Sequence, residues 1–138
     1  MWALLLLGCE RAPTSVPPGR ACADADARTR AIALTSTIAR GEVDPCAVLE
    51  GTPIDIEVRD ALVETDERRR ETLTGHAALS ARLGTLAHVG IAHDGALRCY
   101  GDCCDVQHQG MKPGPLYLRR MCFAYGKHLS SIVFVEVR

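Results

Sequence analysis

The sequence predicts an α+β domain, with an N-terminal helix and a short second helix packed on a curved antiparallel sheet of about six strands. Three observations carry this prediction. Apolar residues recur with a helical period between Asp24 and Arg40. From Ile54 the period changes to two. Turn signals then punctuate the chain up to a last hairpin that is apolar on both faces. The 138 residues suffice for one domain. Hydrophobic residues make up 47% of the chain but aromatic residues only 4%, so the core must rest on Ala, Leu, Val and Ile.

The helix follows from Ala27, Ala31, Leu34 and Ile38, which fall on one stripe. Asp24 and Asp26 suit its positive end, and Gly41 suits its stop. Asp44-Pro45 reads as a cap and first residue of a short helix over Cys46–Glu50, broken by Gly51–Pro53. Ile54, Ile56, Val58 and Leu62 then share one strand face, with Asp55 and Glu57 on the other.

The charged run Asp66–Arg70 reads as a solvated hairpin tip, and the alternation over Glu71–Leu83 as a strand pairing back on Ile54–Glu64. The same segment also fits a helix through Leu79, Leu83 and Leu86, and the strand reading is preferred because the charged tip and Gly84 bracket a pairing length. Thr85–Ala92 is a further strand candidate. Asp94-Gly95 marks a tight turn into Ala96–Tyr100. Gly101–Pro115 reads as a long loop, followed by a Leu116–Ala124 strand, a Tyr125-Gly126-Lys127 turn and a last strand over Leu129–Val137. The apolar residues on both faces of that strand predict that it is central or covered on both sides. This element order is similar to that of the NTF2-like cone, over about residues 22–138; a cystatin-like helix-on-sheet grip is the alternative.

Composition also bears on compartment. The net charge is −1 and no basic face is apparent, which argues against a nucleic-acid partner. The apolar run at the N-terminus is too short to span a bilayer, which needs about twenty apolar residues. It ends in Leu6-Leu7-Gly8-Cys9, which resembles the lipobox of bacterial lipoproteins. That resemblance implies a signal peptide over residues 1–8, cleavage before Cys9 and a lipid on the Cys9 thiol. It also implies a membrane partner and a place at the bacterial cell envelope. Residues 9–21, with Pro13, Pro17, Pro18 and Gly19 among Thr, Ser and Ala, then read as a lipidated cysteine and a tether, and residues 22–138 as the domain.

With Cys9 set aside, six cysteines remain: Cys22, Cys46, Cys99, Cys103, Cys104 and Cys122. An even number in a small exported domain points to disulfides. Adjacent Cys103 and Cys104 point to different sides and can reach separate partners. Cys104–Cys122, Cys99–Cys103 and Cys22–Cys46 form one possible set, and pairings that bring Cys22 or Cys46 into the Cys103–Cys104 segment form others. A helix over Asp24–Arg40 carries the chain about 24 Å, so Cys46 must fold back that far to meet Cys22. The competing readings of the cluster are a zinc site, with His108 as a further ligand, and a reactive cysteine. Paired C-x-x-C knuckles are absent, and neither a base nor a lowered pKa is signalled.

The sequence contains no nucleotide-binding, serine-hydrolase or calcium-loop motif, and no cofactor is implied. The one acid–base constellation that can be assembled is Asp55, Glu57, His76 and His88 on the concave side of a cone. It would make the protein an enzyme or a small-ligand binder. The preferred expectation is a lipid-anchored, non-catalytic module that contacts an envelope protein or a small ligand.

Overall fold

A computed structural model of the chain describes residues 22, 25–61 and 68–138, with Arg68 described in its backbone alone. The expectations for the signal peptide, Cys9, the tether and Leu62 lie outside the described residues.

Helix α1 spans Ala27–Thr37 and runs into a 3-10 turn, Ile38–Arg40. It starts where the Asp26 carboxylate accepts a hydrogen bond from the Thr29 amide at 2.8 Å. It stops at Gly41, which has the left-handed φ of 72°. Ala27, Ala31, Leu34 and Ile38 are buried, as the stripe predicts. The short second helix is a single 3-10 turn, Pro45–Ala47, capped by Asp44.

Strand β1 (Pro53–Asp60) pairs antiparallel with β2 (Arg68–Thr74), and helix α2 (His76–Val89) follows. The Glu71–Leu83 segment therefore divides. Only its first four residues are strand, and the rest is helix together with the expected Thr85–Ala92 strand as far as Val89. Leu79, Leu83 and Leu86 are the buried residues of α2. Burying all three against the sheet favours the helical period over the strand alternation that the same residues also satisfy.

Strands β3 (Ile91–Ala92), β4 (Ala96–Tyr100), β5 (Cys103–Gln107), β6 (Leu116–Ala124) and β7 (His128–Glu136) are the remaining strands among the described residues. The first half of the expected long loop after Tyr100 is thus a tight hairpin turn and a further strand. Gly101, with a φ of 59°, takes the first central position of the turn between β4 and β5.

The sheet order is β2-β1-β7-β6-β5-β4, with β3 pairing on β6. The sheet is mixed rather than purely antiparallel, because β1–β7 and β3–β6 are parallel. The fold class is α+β as expected. The element order behind the cone resemblance changes, because a second long helix interrupts the strands.

Both helices cover one face. There Ile54, Ile56 and Val58 of β1 meet Ile132 and Phe134 of β7, Met121 and Phe123 of β6, and Leu34, Leu79 and Leu83 of the helices. On the opposite face Tyr117, Val133 and Val135 form a second buried group. The loop after β5 folds back there. The Tyr117 hydroxyl accepts from the Lys112 amide at 2.9 Å, and the His108 ring packs edge-on at 5.0 Å from Tyr117. The central position expected for the last strand is observed, with β7 between β1 and β6.

Three disulfides staple the fold: Cys22–Cys46, Cys99–Cys104 and Cys103–Cys122. The pairings Cys104–Cys122 and Cys99–Cys103 do not form. Strand register decides the matter, because Cys99 lies directly opposite Cys104, and Cys103 directly opposite Cys122. Successive strand residues face opposite ways, so the two bonds lie on opposite faces of the sheet. Cys104 is fully buried in the core, while Cys103 and Cys122 are half-buried on the other face. Cys22 reaches Cys46, with 5.5 Å between their Cα atoms. The reversal at Gly41 turns the chain back after the helix.

Candidate functional site

The sequence candidates are not brought together. Asp55 and Glu57 lie on the face of β1 away from the helices, where the Asp55 carboxylate accepts from the Thr72 hydroxyl at 2.8 Å. His76 opens α2, with its Nε2 donating to the Val43 carbonyl at 2.8 Å and the Ser80 hydroxyl 3.4 Å from the same nitrogen. His88 is exposed in the last turn of α2. An acid–base pocket needs these groups within reach of one substrate, and this arrangement separates them.

Two carboxylates on the open face are structural in their surroundings. Glu57 is 6% exposed and pairs with Arg59 and, at 3.0 Å, with Arg70. Asp105 is 8% exposed and pairs with Arg120 at 2.7 Å and Arg119 at 3.4 Å. It also accepts from the Tyr100 hydroxyl at 2.7 Å. Burial alone would raise both pKa values. Hydrogen bonds from Arg59 and Arg70 to Glu57, and from Arg120 and Tyr100 to Asp105, outweigh it and hold both carboxyls below their ordinary range. Groups held ionised and bonded in this way are poorly suited to proton transfer at neutral pH.

A groove on the helix side is the better candidate. It has a volume of about 490 Å³ and lies between α2 and the strands beneath it. That volume falls within the usual range for small-molecule sites, about 300–1,000 Å³. The floor is Ile56 and Val58 from β1, Leu116 from β6 and Leu86 and Val89 from α2. Val89 is 55% exposed, an apolar side chain left open to solvent at the groove wall.

Charged side chains form the rim. Arg82 of α2 pairs with Glu71 of β2, and Arg69 of β2 pairs with Glu136 of β7 at 2.6 Å. The first pair joins helix to sheet, and the second passes over β1. The lining holds no histidine, serine or cysteine, and its carboxylates, Glu71 and Glu136, are each paired with an arginine.

Sequence reading missed this site because it needs α2, which was read as strand, and the parallel pairing of β1 with β7. The available signal was Leu79, Leu83 and Leu86, the helical alternative noted for that segment. Among the described residues there is no cluster of His, Cys, Asp and Glu that could hold a metal ion. Nor is any described helix long and apolar enough to cross a membrane. In comparisons with known proteins, the chain matches no family model, no curated protein and no solved structure.

Proposed function

We propose that this chain is a non-catalytic binding module that works in an oxidising compartment, anchored to a bacterial envelope membrane through a lipid on Cys9. Its contact site is the groove between α2 and the sheet. The observation that carries the proposal is the pairing of all six cysteines beyond Cys9 into three disulfides. Such bonds persist in exported proteins and are rare in the reducing cytosol. The lipobox-like Leu6-Leu7-Gly8-Cys9 supports the anchor. The apolar floor and charged rim of the groove support binding over catalysis.

The test is mass spectrometry of the N-terminal peptide from protein isolated from its native host. The expected result is a peptide that begins at Cys9 and carries a diacylglyceryl group and acyl chains, palmitate among them. An unmodified Met1 refutes the anchor.

A further inference from the structure

We infer that the groove takes a single-chain amphiphile with an anionic head, the tail on the apolar floor and the head at Arg69 and Arg82. The inference rests on the proposed groove and names its ligand class.

The floor sets the tail. Ile56, Val58, Leu86 and Leu116 line the floor, each less than a tenth exposed, and Val89, 55% exposed, is the open apolar wall. Covering that surface removes apolar area from water at about 25 cal/mol per Å². A polar ligand without a tail leaves it wet.

The rim sets the head. Two guanidinium groups, those of Arg69 and Arg82, stand at the groove, each paired with one carboxylate, Glu136 and Glu71. Arg69 makes one hydrogen bond, to Glu136, and Arg82 makes one, to Glu71. A guanidinium carries five N–H donors in a planar fork matched to carboxylate and phosphate oxygens. Both arginines therefore keep most of their donors for an incoming anion. Glu136 is shared, since Arg138 lies 3.7 Å from the same oxygen that Arg69 holds. Releasing Arg69 toward a ligand thus leaves Glu136 with a cation nearby.

The rim pairs are solvent-exposed, with side-chain exposures of 62% and 28% for Arg69–Glu136 and 39% and 38% for Arg82–Glu71. Exposed pairs of this kind contribute about 0–1 kcal/mol. Rearranging them around a carboxylate or phosphate costs little, and a cationic head would meet the arginines instead. Carboxylate and phosphate heads share this chemistry.

The experiment is titration calorimetry on the oxidised full chain carrying Cys9→Ser, which removes the acylated thiol. The probes, held below their micelle concentrations, are dodecanoate, dodecyl phosphate, dodecanol and dodecyltrimethylammonium. We expect one or both anions to bind at least tenfold more tightly than the alcohol and the cation, and their ratio to identify the head. Arg69→Gln with Arg82→Gln should weaken the anion at least tenfold and leave the alcohol unchanged. Val89→Glu, at an exposed position, should weaken every probe. If the alcohol or the cation binds as tightly as the anions, the ligand class is wrong while the groove stands. If no probe binds, or if Val89→Glu changes nothing, the groove itself is wrong. Circular dichroism of each variant confirms the fold.

Discussion

Gly41 and Gly84 meet backbone to backbone: a Cβ placed on Gly41 falls 2.5 Å from the Gly84 Cα. This contact lets the turn that ends α1 pass directly against the middle of α2. Gly41 also has a φ of +72°, where a side chain is strained. Both effects oppose alanine at this position, so Gly41→Ala should destabilise the fold by about 3 kcal/mol. Gly84 is the reverse case. A Cβ there meets nothing within 4 Å, and the residue sits inside a helix. Gly84→Ala should therefore be neutral or stabilise by up to about 1 kcal/mol. Urea midpoints of the two variants should move in opposite directions, and equal losses would show that the contact does not govern either position.

Acid should loosen the sheet through Glu57 and Asp105. Both carboxyls are held below their ordinary pKa in the folded state. A group of this kind stabilises the fold at pH values above its unfolded pKa. Its contribution is lost as pH falls through the lower folded value. The expected urea midpoint is therefore steady from pH 7 to pH 5 and falls below about pH 4. Glu57→Gln combined with Asp105→Asn should lower stability at pH 7 and flatten the acid decline. The Asp105→Asn component should cost about 1–3 kcal/mol, since Arg120 and Tyr100 lose a charged acceptor. An acid decline as steep in the double variant as in the parent would assign it to other groups.

The first turn of α2 explains much of what the sequence could not convey. Its N-cap is Gly75, which offers no side chain. The Glu50 carboxylate instead accepts from the His76 amide at 2.8 Å, from outside the helix. No local capping signal therefore precedes a segment whose Leu–Ala alternation also satisfies a strand. The strand β5 was hidden for a related reason. Cys103–Gln107 is short, and its identity depends on pairing with both neighbours. Where the local signal was complete, the structure agrees: Asp26 and Gly41 frame α1, and β6 runs over Leu116–Ala124 as read. The groove draws on five separate elements, so its lining could not be read before the strand order was known.

The same contact supplies a prediction. Glu50→Ala removes the acceptor and a negative charge at the positive end of α2, and should cost about 1 kcal/mol. Glu50→Gln keeps an acceptor oxygen and should recover part of that loss. Hydrogen exchange at the His76 amide should accelerate in Glu50→Ala more than exchange at Leu83. Uniform acceleration along α2 would mean that Glu50 is not its cap.

The three disulfides should differ in both strength and accessibility. Their sequence separations are 24, 19 and 5 residues for Cys22–Cys46, Cys103–Cys122 and Cys99–Cys104. Chain entropy then assigns them about 3.5, 3 and 2 kcal/mol in that order. Replacing each pair by alanine should rank the urea midpoints accordingly, with one competing effect. Cys104 is fully buried, so its replacement also leaves a small cavity. Burial orders the chemistry too. Cys22 is exposed, Cys99, Cys103 and Cys122 are half-buried, and Cys104 has no exposure. Attack on a disulfide requires access to a sulfur. Graded reduction followed by alkylation and peptide mapping should therefore label Cys22 and Cys46 first and the cysteines of the two strand-to-strand bonds in a second step. A Cys103 thiolate freed in the second step points away from Cys104, on the opposite face of β5, so the Cys99–Cys104 bond should survive without exchange. A Cys103–Cys104 bond in the partly reduced protein would contradict that orientation.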